Sequence, residues 1–588
     1  MPRSRATPRT RRLPAGRGRW WRLRGAGRAL SPRGALALGR VGGALWFAVR
    51  AALAMALPAL PLIAAGQPEL AVYAMLGAFT TTFGRNLPYR RRARVLAVVA
   101  LAMTAAVACG SALAVAARPA EGGTGALVVI AVTALVAGTA KFCCDRAGLG
   151  GLGAVLLLFA FAVAANGAAT AADVGPRTAA AAVGALSAWA WSLSGRLWHP
   201  DRPQRLVTAA ALRAVADLVE GPEPGGTAHG RVRHRASAAV LLAYSSLGAE
   251  PPAGPVGEVR GGVCLRLTDV CWSVLVRSAL RPPGDASRLA GRLRGQAGLL
   301  AAGRYRSPVL LRPLADDAGS GRPPAAGPAV RGRESAVDAA GRRVAELRVG
   351  GGSAWQRSAV HLVPAGRMAL GTGAAGLLAS ALGLGHGYWA AISAAAVLHS
   401  VSVRTTVHRA VQRTLGTTAG LLIALAVLTA GPEPTGLVLV IIVLEFALEY
   451  LVVRNYGLGV VFLTPLALLM SDLVAPTATT GLLRDRALGS LLGIGVGLLC
   501  ALLVVHDRAA VRVERALAAC TAAAEEAERE PESAAVAVAP ARLAAAVVEL
   551  HEAADAAAGE LWEADLDPAV LAAAEQRAYL LLERLLRG

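Results

Sequence analysis

The run VLVIIVLEFALEYLVVRNYG, residues 438–457, places two carboxylates in an otherwise apolar stretch. Glu445 and Glu449 are four residues apart, so on a helix they share one face. In a bilayer an ionised side chain costs several kcal/mol or more unless it is paired, hydrated or protonated. Two chemistries are therefore open: a structural ion pair near the membrane edge, or reversible protonation of the kind a proton-coupled carrier needs. Glu449 lies four residues before the end of the run at Val453, about 6 Å along a helix, within reach of Arg454 or the loop from Arg404 to Arg413. Structural pairing is the expectation for it. Glu445 lies a turn deeper, about 12 Å in, where so short a side chain snorkels poorly, and it is the expected coupling group.

Other residues could meet an anion. Arg50 and Arg367 each open the first apolar run of one half of the chain. They either anchor those helices at the inner surface or receive an incoming carboxylate, which guanidinium matches bidentately. Pro58, Pro61 and Pro465 fall inside apolar runs and mean kinks, or broken helices whose backbone dipoles hold ions. Trp189, Trp191, Trp198, Tyr388 and Trp389 fall near run ends, as an interfacial aromatic belt or as stacking partners for an aromatic substrate.

These groups must be positioned by membrane helices. The chain has 588 residues, 55% hydrophobic and only 17% charged, well short of the charge of a soluble domain. Its apolar runs predict an all-α polytopic membrane protein, since backbone in lipid must satisfy its own hydrogen bonds. Six runs fall at 46–66, 68–84, 94–117, 124–141, 147–167 and 177–197, and six more at 366–384, 386–402, 411–430, 435–453, 456–473 and 485–505. Twelve spans are the expectation, with the eleventh in question because Arg484 and Arg486 fall on the outer side. AVRAALAMALPAL around Arg50 matches PAGRMALGTGAAGLL around Arg367, and GGTGALVVIAVTALV matches EPTGLVLVIIVLEFAL. The halves thus read as two parallel six-helix repeats about an axis normal to the membrane. The second match sets Ala134 and Gly138 opposite the two glutamates, so the acids belong to one half only.

Arginines gather in alternate loops: 85–94, 196–205, 404–413 and 454. By the positive-inside rule both termini then lie in the cytoplasm, and the protein lies in the plasma or inner membrane. The organisation is an Arg-rich cytoplasmic tail over 1–43, transmembrane repeats over 44–199 and 364–505, a helical cytoplasmic domain over 200–363, and an acidic helical cytoplasmic domain over 506–588. The tail holds twelve Arg and no acid, the middle segment 23 Arg against 13 acids, and the last segment 16 acids. The acidic and basic domains read as complementary.

The net charge of +23 follows this topology and implies contact with anionic lipid rather than nucleic acid, since no nucleic-acid motif accompanies it. Lys141 is the single lysine and no Gly-Lys-Ser/Thr loop surrounds it, which excludes a P-loop ATPase within this chain. The seven cysteines and nine histidines have no metal-ligand spacing, so no metal or cofactor is expected. No nucleophile–base pair points to an enzyme. No short apolar segment with a cleavage site follows the basic N-terminus, so no removable signal is expected.

Two stretches of the second half carry a family resemblance. In GYWAAISAAAVLHSVSVRTTVHRAVQRTLGTTAGLLIALAV an aromatic-led span is followed by a basic loop and then by Arg413, Gly416, Thr417 and Gly420. RNYGLGVVFLTPLALLM supplies Asn455, Tyr456, Thr464, Pro465 and Leu466. Both resemble the signatures of the fusaric acid resistance or aromatic acid exporter family. In the first half the fifth run lacks the Tyr and the Thr-Pro, and the third has only Gly110. The resemblance implies export of small aromatic or amphipathic organic acids driven by the proton gradient, with the motif residues along the path. A passive organic-anion channel and a non-transport membrane scaffold are the alternatives. A homo-oligomer and an adaptor protein are both compatible with the sequence.

Overall fold

The computed structural model describes residues 43–85, 87–119, 123–149, 153–167, 170–221, 227–249, 255–278, 285–304, 354–400, 403–474, 479–503, 508–529, 539–558 and 568–587. The Arg-rich tail, apart from Gly43, and residues 305–353 lie outside them. The protein is an all-helical polytopic membrane protein. Nineteen α-helices are formed by the described residues, with no strand among them.

The first set holds α1 (Ala44–Ala64), α2 (Pro68–Ala78), α3 (Tyr89–Ala117), α4 (Gly123–Arg146), α5 (Gly153–Asn166) and α6 (Ala171–Trp198). The second holds α11 (Ala354–Ala381), α12 (Tyr388–Leu398), α13 (Val403–Ala430), α14 (Pro434–Val452), α15 (Tyr456–Val474) and α16 (Thr479–Leu503). Eight of these twelve are long and apolar enough to cross a membrane: α1, α3, α4, α11, α13, α14, α15 and α16. The expected count of twelve is therefore revised. α12 has 11 residues, about 17 Å of helix against the roughly 30 Å of a hydrocarbon core. α2 also has 11 and continues only as a 3₁₀ turn, Phe79–Thr82. α5 has 14 residues, and α6 is long but interrupts its apolar face with Asp173 and Arg177. Hydropathy merges a short buried helix with the apolar turn that follows it, which is why α2 and α12 read as full spans.

The prolines do not break the helices. α1 runs unbroken through Pro58 and Pro61, and α15 through Pro465. The span in question, residues 456–473, is a continuous helix long enough to cross.

α2 and α12 lie at the centres of their sets and are buried almost throughout. α2 packs on α6 and α12 on α16; α3 packs on α5 and α13 on α15; α1 packs across on α14 and α11 on α4. Small residues allow the approach. A Cβ on Gly184 of α6 would overlap the Ala74 carbonyl oxygen of α2, and one on Gly493 of α16 would overlap that of Ala390 on α12. With lipid outside as apolar as leucine, such close backbone packing is what holds membrane helices together. Leu101, Leu135, Leu186, Leu422 and Val443 are exposed on the rim, as a lipid-facing surface requires.

The remaining helices are α7 (Arg202–Val219), α8 (Thr227–Ala249), α9 (Pro255–Ser278), α10 (Ala286–Ala301), α17 (Arg508–Arg529), α18 (Ala539–Ala558) and α19 (Pro568–Arg587). They share one apolar core, in which Leu212, Leu241, Leu267 and Leu293 join Val513, Leu543 and Leu582. α8 contacts α18, and α9 contacts α19. The middle and last segments are thus joined by apolar packing and by a hydrogen bond between the Ser237 and Tyr579 hydroxyls at 3.2 Å. Several charges are settled within each segment: Arg577 with Glu528 and Arg542 with Glu526 in the last, Arg294 with Asp217 and Glu220 in the middle.

Candidate functional site

α14 begins with Pro434 in its first turn, where a missing N–H costs nothing, and is apolar as far as Leu444. Its inner face then presents Glu445 and Glu449, 1% and 3% exposed. α14 packs on α1, and Glu449 lies within electrostatic reach of Arg50 on that helix. The partner of Glu449 is Arg85, from the turn that follows the 3₁₀ segment of the first set. Neither Arg454 nor the 404–413 loop, the partners expected from the sequence, supplies it. Arg454 instead donates to the Tyr450 carbonyl at 2.9 Å and lies over the Tyr450 ring.

Arg85 is held by its neighbours. Gly84 has φ +60°, which lets the chain turn tightly there. Arg92 of α3 donates through Nε to the Gly84 carbonyl at 3.1 Å and through an Nη to that of Arg85. The Phe47 ring of α1 carries two guanidiniums, Arg85 at 3.8 Å and Arg50 at 4.6 Å from its centroid. Arg50 is thereby brought to the acid pair. Glu445 Oε2 is buried and accepts no hydrogen bond from a described residue. Two carboxylates and two guanidiniums thus meet at a joint between the sets. Gly138, set opposite Glu449 by the sequence match, packs instead against the backbone of α11: a Cβ there would lie 3.1 Å from the Ala365 carbonyl oxygen.

Arg367 is not part of this cluster. It donates to the Ser400 carbonyl at 3.0 Å, and Lys141 donates to the His399 carbonyl at 3.4 Å while pairing with Asp145. Both cations satisfy carbonyls at the C-terminal end of the short α12, where the helix dipole is negative.

The two motif-bearing stretches pack face to face. A Cβ on Gly420 would lie 2.7 Å from Thr464 and 3.0 Å from Pro465, and one on Gly416 2.7 Å from the Gly457 carbonyl oxygen. Asn455 caps α15, accepting from the Gly457 N–H at 2.7 Å. These residues are therefore close-packing and capping positions. Arg413 is different. It is 1% exposed, and among the described residues its donors reach only hydroxyls: Tyr456 at 3.5 Å and Ser393 at 3.4 Å.

Residues 374–500 match the family described as fusaric acid resistance protein-like. The match falls on the second set, from the last turns of α11 into α16. The motif resemblance read from the sequence falls inside it, as do Arg413, Glu445 and Glu449. A stretch of 126 residues is 40% identical to the uncharacterized membrane protein YvaC of Bacillus subtilis (strain 168), covering 21% of this chain and 20% of that protein. The match thus spans about a fifth of the length of the curated relative. No solved structure matches.

Within the matched residues, sequence reasoning missed Arg486 and left Trp389 open between an interfacial belt and a stacking partner. Arg486 stood out only as a charge on the wrong side of the predicted topology. It is 1% exposed on α16 and lies over the Trp389 ring, 3.9 Å from the centroid. Trp389 is fully buried, which removes the interfacial reading and leaves the stacking one. Outside the matched residues, Arg85 and Arg92 were read only as topology-setting charges.

Proposed function

We propose that this protein is a secondary transporter that exports small aromatic or amphipathic organic acids, driven by the proton gradient. The observation that carries the reading is the buried pair Glu445 and Glu449 at the joint between the sets, with Arg85 committed to one of them. Two carboxylates one turn apart in an apolar setting cannot both ionise cheaply. Arg85 compensates Glu449, which leaves Glu445 as the group that binds and releases a proton. Glu445 lies within electrostatic reach of Glu449 and of Arg85 from the other set, which ties the proton to the relative position of the two sets, as coupling requires.

The recurring packing, α2 on α6 as α12 on α16 and α1 on α14 as α11 on α4, supports reading the sets as two repeats about an axis normal to the membrane. The family match and the arginine-rich alternate loops support a plasma or inner membrane with both termini inside.

The test is efflux of a panel of aromatic acids from cells with and without the protein, before and after an uncoupler. Uphill efflux abolished by the uncoupler is the expected result. Efflux that runs only downhill and ignores the uncoupler makes the protein a passive anion channel, and no protein-dependent efflux sinks the transport reading.

A further inference from the structure

We infer that Arg413 and Arg486 form one organic-carboxylate site per chain, within the matched residues, between α12, α13, α15 and α16. Both side chains are 1% exposed, and among the described residues neither has a carboxylate within ion-pair distance. Asp485, the acid next to Arg486, is bonded to His386, accepting from its backbone N–H at 3.2 Å and lying 3.0 Å from its Nδ1. The two guanidiniums sit within each other's electrostatic reach, which adds repulsion to the cost of desolvation. A buried, unpaired guanidinium is so unfavourable that it calls for a counter-anion.

The free donors point the same way. Among the described residues Arg486 Nε and Nη1 meet no hydrogen-bond acceptor, and neither do Arg413 Nε and the Trp389 indole N–H. Ser393 and Ser490, hydroxyl to hydroxyl at 3.5 Å, lie one helical turn past Trp389 and Arg486 and join the two sides. The walls are aromatic: Tyr388 lies 4.6 Å from Trp389 between ring centroids, and Phe159 of the first set stacks on Trp389 at 6.2 Å. Two cations, hydroxyls and rings in a dry interior favour a planar aromatic monocarboxylate over a hydrated inorganic anion.

Among the described residues the first set has no counterpart. Arg177 of α6 lies over the Tyr73 ring much as Arg486 lies over Trp389, but it pairs with Glu69. α3, which packs on α5 as α13 packs on α15, carries no arginine between Arg94 and its end at Ala117. One site in two otherwise similar sets means one acid bound per chain.

This site rests on the transport reading only for its role; binding can be measured apart from transport. The purified full-length protein is melted, with tryptophan fluorescence as the signal, in excess benzoate, cyclohexanecarboxylate or chloride. Benzoate should raise the midpoint by several degrees, as mass action requires of a ligand that binds only the folded state. Arg413→Met and Arg486→Met keep the side-chain volume and should abolish that rise without lowering the midpoint in ligand-free buffer, because each removes an uncompensated charge. Arg177→Met should leave the benzoate rise intact. The site is overturned if no anion shifts the native protein, if chloride stabilises as well as benzoate, or if either methionine variant keeps the full shift. Should a methionine variant not fold, Arg413→Lys and Arg486→Lys carry the test, and native benzoate affinity in both overturns it. Efflux unchanged in the methionine variants counts against this site alone; binding intact with no uphill efflux counts against the transporter alone.

Discussion

The Arg85 guanidinium pairs with the Glu449 carboxylate across a sequence separation of 364 residues. Neither residue has that partner within its own set, so the pair belongs to the joint between the sets. Glu449 is almost fully buried and Arg85 about a quarter exposed. Loss of either partner strands the other, and the loss of both is milder. Arg85→Gln and Glu449→Gln should each destabilise the protein by about 2–3 kcal/mol, and the double variant by clearly less than the sum. Unfolding midpoints in detergent close the cycle. Additive losses mean that the pair contributes nothing of its own.

Glu445 separates coupling from packing. Glu445→Gln preserves shape and hydrogen-bonding capacity while removing the titrating group. Expression and unfolding should stay close to native, and uphill efflux should fall about tenfold or more. Glu445→Asp should retain part of the activity, since the carboxyl remains on the same face. Native uphill efflux in Glu445→Gln would remove the coupling role.

The acids were legible in the sequence because a charge inside an apolar run stands out against its neighbours. Their partner was not. Arg85 belongs to a run of loop arginines that serves topology equally well, and only the fold shows which one turns inward onto Phe47 and Glu449. Arg486 was hidden for a related reason: hydropathy treats an arginine near a helix start as a boundary, whereas here it stacks on Trp389 deep in the bundle. The helical class, the two groups of six and the resemblance in the second half follow from periodicity and motif. The shortness of α2 and α12 does not, because an apolar turn and an apolar helix have the same hydropathy.

Close packing around α12 gives a test of the fold. A Cβ on Gly493 would run into backbone of α12, which cannot yield as a flexible side chain does, whereas Gly495 faces open space. Gly493→Ala should cost about 2–3 kcal/mol and Gly495→Ala essentially nothing. Gly184→Ala on α6 should behave like Gly493→Ala. Equal melting of Gly493→Ala and the native protein would mean that α12 and α16 do not approach as closely as described.

The helices outside the two membrane sets contain a pH-sensitive group independent of transport. The Tyr244 hydroxyl on α8 donates to the Asp269 carboxylate on α9 at 2.6 Å. Burial pushes the Asp269 carboxyl up to about 6, against the opposing pull of the Tyr244 hydrogen bond and Arg266. A carboxyl whose folded value exceeds its unfolded value of about 4 binds more protons folded than unfolded between those limits. Its contribution is therefore fully present below about pH 4 and is lost as the pH rises through 6. At neutral pH the domain carries a charge that burial disfavours. Asp269→Asn removes the charge and keeps an acceptor for Tyr244. The variant should show hydrogen-exchange protection in α8 and α9 about tenfold or more above native at pH 7.5, with the difference vanishing near pH 4 once intrinsic exchange rates are divided out. Less protection than native at pH 7.5 would mean that the ionised carboxylate stabilises the α8–α9 contact, the reverse of the sign argued here.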